Sequence, residues 1–247
     1  MDNYIYILGA NSEIGRELIK LKLEQNLNLC LLTTNSSKLE TYIEELQLNT
    51  KSKIKIIDYD LSNSEETVST LLRMSNEFIP KRIFVMVGYL GDRTGNNSDD
   101  EVKRIYNVNV NYLSKLFDSL QEVGYLENIK SVHFSSSVGA DLFYVRLFHY
   151  YESKRLLNEY LQSLRTKLSK SQISIVNMKI GPVFDTEMGP SSGIFRLVAS
   201  SKLDIAKNII KGIDRNEDQY IPIVWKLIIA VYKVLPDLIK KKLKKII

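Results

Sequence analysis

The chain has 247 residues, 44% apolar and 26% charged, with a single cysteine; this suits one large α/β domain and excludes an internal disulfide framework or a cysteine metal cluster. The net charge of +5 is concentrated, because residues 237–247 hold five lysines and one aspartate, and the nearly neutral remainder excludes a broad nucleic-acid-binding face. Met1-Asp2-Asn3 leads straight into a strand and no apolar run reaches membrane-spanning length, so a cytoplasmic chain without a signal peptide is expected.

The first predicted strand, 4–8, runs into Gly9-Ala-Asn-Ser-Glu-Ile-Gly15, and helical periodicity follows over 14–25. A strand, a glycine turn and a helix start form a phosphate cradle. Gly9 permits the tight turn, and Gly15 lets the helix pack closely while its first N–H groups face an anion. A second strand, 27–32, holds Cys30 as a buried small hydrophobe and leads to Thr33, Thr34, Asn35, Ser36, Ser37 and Lys38, which offer hydroxyls and one lysine but no carboxylate. Strands at 53–59 and 82–87 end at Asp60-Leu61 and at Gly88-Tyr-Leu-Gly-Asp92, with helices at 37–48 and 64–76 between them. This alternation predicts a parallel, doubly wound sheet.

A polar loop, expected to be mobile, then reaches Ser98 or Asp99 as a helix cap. The helix beyond carries Val102, Ile105, Val108, Asn109, Tyr112, Leu113 and Leu116; an asparagine on such a stripe is either a satisfied structural residue or a functional one. A fifth strand from 131, a helix bearing Tyr150, and a sixth strand over 173–178 follow. The loop at 189–201, with Ile194, Phe195 and Leu197, suits a substrate-covering flap. A helix over 204–213 and an edge strand over 219–223 complete about seven strands. Residues 1–223 read as one domain and 224–247 as a helical extension.

Tyr150 and Lys154 stand four residues apart, on one helical face. A neighbouring ammonium favours the phenolate, which would bring the tyrosine toward neutral pH as a proton donor and acceptor. Ser137 lies thirteen residues before Tyr150, at a strand end, where its hydroxyl could meet the phenol over one bound oxygen atom. The two histidines, His133 and His149, are too few and wrongly placed for a metal site, and His149 reads as a loop or pocket-wall residue.

Together these positions resemble the short-chain dehydrogenase/reductases in their single-domain, Rossmann-type form, over essentially the whole chain. Gly9, Glu13 and Gly15 resemble the family's TGxxxGxG turn, with Leu8 for threonine and Glu13 for the middle glycine. Asp60 matches the adenine contact after the third strand, and Gly88 falls in the Asn-Asn-Ala-Gly element, whose asparagines are missing. Asn109, Ser137, Tyr150 and Lys154 match the catalytic tetrad, and 179–186 resembles the Pro-Gly-x-x-x-Thr stretch. The resemblance implies a cofactor held by Gly9, Asn11, Ser12, Glu13, Ile14, Gly15, Thr33, Thr34, Asn35, Lys38, Asp60, Leu61, Gly88, Tyr150, Lys154, Gly181, Val183 and Thr186. It implies hydride transfer to or from a carbonyl, with Tyr150 as acid, Ser137 holding the oxygen, Lys154 keeping Tyr150 acidic and binding ribose, Asn109 holding a water, and no metal.

Glu13, the segment 88–92 and Tyr220-Ile-Pro-Ile-Val-Trp225 resemble the branch of decaprenylphosphoryl keto-pentose reductases and their surface-polysaccharide relatives, which implies a keto-sugar substrate. A reductase of hydrophobic ketones and a non-catalytic dinucleotide-binding regulator are the alternatives. Without a carboxylate after the second strand to bind a ribose hydroxyl, NADP is expected over NAD, although the arginine common in NADP sites is not seen there. Apolar residues beyond one buried face, Tyr112, Leu116 and Leu120 with Leu157, Tyr160, Leu161 and Leu164, point to a homodimer or homotetramer. From 224 to 235 the chain is apolar but for Lys226 and Lys233. After Pro236, Leu238, Ile239, Leu243, Ile246 and Ile247 oppose Lys240, Lys241, Lys244 and Lys245, with Lys242 at the border. That pattern fits either a packed helix or a peripheral contact with anionic membrane at its inner face.

Overall fold

The computed structural model describes residues 3–142, 146–189, 196, 198–216, 218–236 and 238–240. Seven strands, β1 (Asn3–Leu8), β2 (Asn28–Thr33), β3 (Ile54–Asp58), β4 (Ile79–Val85), β5 (Ser131–Ser137), β6 (Ser174–Ile180) and β7 (Gln219–Ile221), form one parallel sheet in the order β3-β2-β1-β4-β5-β6-β7. Side chains alternate across a strand, so Tyr4, Tyr6 and Leu8 enter one core layer and Ile5 and Ile7 the other. The first layer is covered by α3 (Ser64–Ser75), α5 (Tyr112–Glu122) and α6 (Phe148–Lys167). The second is covered by α1 (Glu13–Glu24), α2 (Ser36–Glu45) and α7 (Lys202–Lys211).

Five helix starts are fixed by a side-chain oxygen accepting an amide hydrogen three residues on: Ser12, Asn35, Asn63, Ser98 and Ser201. Each such cap satisfies one of the free N–H groups of a first turn. Ser98, at the start of α4 (Asp99–Tyr106), forms a full capping box with Glu101. The chain leaves β1 toward β2 and β3, then returns to the other side of β1 as β4. That reversal opens a crevice at the carboxyl ends of β1 and β4, where sheets of this kind bind ligands.

Three expectations need correction. β4 begins at Ile79, because Ile79 and Pro80 pair with Asn3 and Tyr4 ahead of a register shift at Tyr4/Ile5, an irregularity that accommodates a proline. The loop after β4 is pinned: Asp92 accepts from the Thr94 amide (2.8 Å) and hydroxyl (2.6 Å), and Asn97 Oδ1 accepts from the Asp92 amide (2.8 Å). Tyr112, Leu116, Leu120, Leu157, Leu161 and Leu164 are all buried within the chain, while Tyr160 donates to the Ser114 carbonyl (3.2 Å). α5 and α6 pack on the same sheet face and on each other, so these residues are core.

The last described helix, α8 (Val224–Val234), buries Trp225 and Ile229 and leaves its other face outside. Trp225 packs against Gly181, where an added Cβ would lie 2.2 Å from the indole nitrogen. No helix among the described residues is long and apolar enough to cross a membrane. Ile194, Phe195 and Leu197 of the flap, and residues 241–247, lie outside the described residues.

Candidate active site

Gly9 leaves β1 with φ +76, and a Cβ there would lie 2.8 Å from the Met86 carbonyl carbon. Only glycine allows the turn to pass so close to the end of β4. Ser12 Oγ accepts from the Gly15 amide at 3.1 Å, with Gly15 packed beneath it. Ser12, Glu13 and Ile14 then face a cleft of about 710 Å³, into which the start of α1 directs its positive dipole end. Glu13 accepts from the Glu187 amide at 2.9 Å, tying the turn to the segment after β6.

The opposite wall comes from β5 and α6, which bring Ser137, Tyr150 and Lys154 into the same cleft. Ser137 Oγ accepts from the Gly139 amide at 3.0 Å. Lys154 Nζ donates to the Ser135 carbonyl (3.1 Å) and the Val87 carbonyl (3.3 Å), and it stands 6.0 Å from the centroid of the Tyr150 ring. The lysine is 2% exposed, and burial lowers its ammonium from 10.5 to about 8. Burial pushes the Tyr150 phenol above its ordinary range; Tyr151 adds to this, and the hydrogen-bonding Ser137 hydroxyl opposes it. The expectation that Lys154 holds Tyr150 acidic meets a phenol whose burial acts in the opposite direction. The ammonium donates to two backbone carbonyls, and burial disfavours the charged form of both side chains.

Asn109 sits in a π-helical turn, Asn107–Asn111, between α4 and α5, a widening often found at functional sites. It is fully buried and does not line the cleft. Its Nδ2 donates to the Tyr89 carbonyl (2.9 Å) and to Ser153 Oγ (2.9 Å), and its Oδ1 accepts from the Tyr89 amide (2.8 Å). Both amide hydrogens are on protein acceptors. It anchors the segment after β4 to α6, where Ser153 Oγ in turn donates to the Tyr150 carbonyl at 2.6 Å.

Asn11, Lys38, Gly88, Gly181, Val183 and Thr186 share the cleft. Thr33 is buried, with Oγ1 accepting from Asn11 Nδ2 at 2.6 Å, so its hydroxyl does not reach a ligand there. Asn35 is occupied as the cap of α2. Thr34, Asp60 and Leu61 border a second cavity of about 820 Å³. The amide and hydroxyl of Ser62 hold the Asp60 carboxyl below its ordinary value.

The sequence reading missed Arg16. Its Nη2 donates to Asn11 Oδ1 (3.0 Å), its guanidinium lies 4.8 Å from the Tyr42 ring centroid, and its Nε is buried without a hydrogen-bond partner among the described residues, on the wall of the cleft. The missed signal was positional: Arg16 follows Gly15 in the first turns of α1, beside the strand end where an arginine was sought. Arg93, Arg146 and Tyr151 were likewise unassigned and line the cleft. His149 turns to the Tyr106 hydroxyl (3.4 Å) and stays out of it.

A parallel sheet that reverses direction at a glycine turn, with serine, tyrosine and lysine facing that crevice, defines an α/β protein of the dinucleotide-binding kind. The profile of the short chain dehydrogenase family matches residues 3–194, and the chain belongs to that family of oxidoreductases. A curated relative, the very-long-chain 3-oxoacyl-CoA reductase of Vanderwaltozyma polyspora, is 26% identical over 114 residues, which are 43% of this chain and 32% of the length of that relative. Among solved structures, ElxO with NADP bound matches at TM-score 0.75 and 16% identity, over 90% of this chain and 97% of its own. An actinorhodin polyketide ketoreductase with NADPH matches at 0.74 and 15%, over 89% and 95%. A short-chain dehydrogenase from Streptomyces avermitilis matches at 0.75 and 13%, over 99% and 96%.

Proposed function

We propose that the chain is an NADP(H)-dependent reductase of a keto-sugar, lipid-linked or nucleotide-linked, acting in bacterial surface-polysaccharide synthesis. The observation that carries the reduction is the meeting of Ser137, Tyr150 and Lys154 with the Ser12–Ile14 cradle in one cleft. The residues present fit a dinucleotide: a glycine turn with no room for a side chain, the start of α1 on the cleft wall, and an arginine Nε without a hydrogen-bond partner among the described residues. When bound, the nicotinamide supplies the hydride.

The chain's own groups handle the proton. Tyr150 gives its phenolic proton to the carbonyl oxygen as negative charge builds there, and Ser137 donates to the same oxygen. The raised affinity of the phenol keeps that proton in place at neutral pH until it is needed. Lys154 has three N–H donors, two of them on carbonyls, and offers the third to the cofactor ribose. Asn109 acts as a positioning residue for the Tyr89 segment and α6.

Arg16 and Lys38 favour NADP, since both are cations on the cleft wall and no carboxylate ends β2. The ElxO structure described above holds NADP and the polyketide ketoreductase structure holds NADPH. The keto-sugar assignment rests on the likeness of Glu13, 88–92 and 220–225 to the polysaccharide-associated branch. The acyl-ketone reading is favoured by the 3-oxoacyl-CoA relative. In the test, NADPH oxidation is followed with keto-sugars and 3-oxoacyl thioesters, using wild type and Tyr150→Phe. Loss of about 10²–10⁴-fold in the variant, with cofactor still bound, is expected. An active Tyr150→Phe would refute the assignment.

We further propose that 224–247 makes the peripheral membrane contact. Leu227 is 66% and Val234 82% exposed on the outer face of α8, beside Val224 and Val231, and the lysines beyond supply charge for anionic lipid at about 1 kcal/mol each. Co-sedimentation with anionic vesicles at low salt, lost in Leu227→Asp/Val234→Asp, is the expected result. A full-length chain left in the supernatant would end this proposal.

A further inference from the structure

We infer that the substrate carries a phosphate ester, held at the mouth of the cleft by Arg93 and Arg146. The inference rests on the reductase reading, because it takes the space beside Tyr150 as the carbonyl's place. Six cations line the cleft against three carboxylates, Glu13, Glu17 and Glu187. Arg16 and Lys38 stand with α1 and α2 on the cofactor side, and Lys154 serves the ribose and the tyrosine. Arg93 and Arg146 line the same cleft as Tyr150, and they come from the loop after β4 and the segment before α6, which also supply Leu90 and Leu147 to its lining.

Their positions are built. The Arg93 guanidinium donates to the Gly189 carbonyl, joining the loop after β4 to the loop after β6. Gly95 has φ +87, and a Cβ there would lie 1.8 Å from the Arg146 carbonyl oxygen, so the two arginine-bearing segments touch in a contact that only glycine permits. The Asp92 turn described above fixes the loop from which Arg93 projects, and Gly95 N–H donates to the Asp92 carbonyl at 3.0 Å.

Both arginines are exposed residues, and neither guanidinium meets a carboxylate within 4 Å among the described residues. The Asp92 carboxyl feels the Arg146 charge, but its oxygens are spent on Thr94. Planar forks with free donors bind phosphate oxygens in pairs. Leu90, Leu147 and Met188 add apolar lining to the same cleft, which suits a carbonyl carried on the same molecule.

The test compares D-xylulose 5-phosphate with D-xylulose, by calorimetric binding to the full chain loaded with NADP and by NADPH oxidation. At low salt the phosphate ester should bind about tenfold or more tightly than the free sugar. That ratio should collapse toward one in Arg93→Gln/Arg146→Gln and persist in the charge-matched Lys207→Gln/Lys211→Gln, whose lysines lie on α7. NADPH oxidation without a phosphate advantage overturns the inference and leaves the reductase reading standing. Arginine-dependent binding without oxidation of NADPH by any ketone supports the anion site and refutes the reductase reading. A ratio near one in the wild type, a ratio that survives in the arginine variant, or tighter binding of 2-oxoglutarate than of the phosphate ester each overturns the phosphate assignment.

Discussion

Replacing Lys154 by methionine should make the protein more stable while removing its activity. Burial lowers the ammonium from 10.5 to about 8, and at about 1.36 kcal/mol per tenfold change in proton affinity the buried charge costs about 3 kcal/mol. The unfolded chain keeps the ordinary affinity. Between about pH 8 and 10.5 it therefore binds more protons than the folded chain, and wild-type stability rises with pH through that window; below pH 8 the full cost is present. Methionine fills similar volume without charge and forfeits the contacts to the Val87 and Ser135 carbonyls, which returns about 1–2 kcal/mol of the gain. The net expectation at pH 7 is about 1–2 kcal/mol of added stability, or a rise of about 2–8 °C in Tm for a chain of this size. Circular dichroism during thermal and urea unfolding at pH 7 and pH 10 reads both numbers, and the advantage should shrink or reverse at pH 10. A variant no more stable than wild type at pH 7, or a difference that ignores pH, would refute the reasoning.

Tyr151→Phe, which keeps its ring against Gly139, should retain most of the NADPH-oxidation activity that Tyr150→Phe loses; the reverse pattern would put the acid at the wrong tyrosine. Burial, with Arg82 next, holds His133 down to about 3, so the folded chain resists protonation that the unfolded chain accepts from about pH 6.5 downward. His133→Phe should therefore lose about 3 kcal/mol less than wild type between pH 6.5 and 4, measured by urea unfolding at both values; parallel losses would contradict this. Lys179→Met strips the ion pair from Asp141 (2.8 Å, both side chains mostly buried) and should cost about 3 kcal/mol, against a null result if the pair is idle. Gly139→Ala places a methyl 1.9 Å from the Tyr151 ring and should displace the turn after Ser137, cutting turnover while NADPH binding, read by fluorescence, persists; full activity would show that the ring yields.

Much of the fold was legible because its signals are local. The alternation of Tyr4, Tyr6 and Leu8 against Ile5 and Ile7, and caps such as Ser98, depend on residues within a few positions of each other. Ser137, Tyr150 and Lys154 were legible as a group for the same reason, their spacing being set by one strand end and one helix. What escaped depends on space. Val108 and Asn109 continue the apolar period of their helix, so nothing in the sequence marks the π-turn. Leu157, Leu161 and Leu164 looked surplus because burial by both the sheet and α5 cannot be counted along the chain. Lys154 was read by its neighbour, whereas its depth decides its proton affinity. Arg16 was overlooked because the search followed β2, while the cleft gathers α1 as well.

The indole of Trp225 seated against Gly181 has a practical bearing on how the C-terminal segment can be dissected. Although the profile match ends at 194, α8 is keyed into the strand end that borders the cleft, so a chain ended at 223 would forfeit that wedge, at about 3–5 kcal/mol for an aromatic side chain of this burial. Loss of vesicle binding after such a cut would report collapse at the cleft as readily as a missing anchor. Substitution at the outward Leu227 and Val234, or trimming beyond Pro236, separates adhesion from catalysis because both changes keep Trp225 and α8 in the chain.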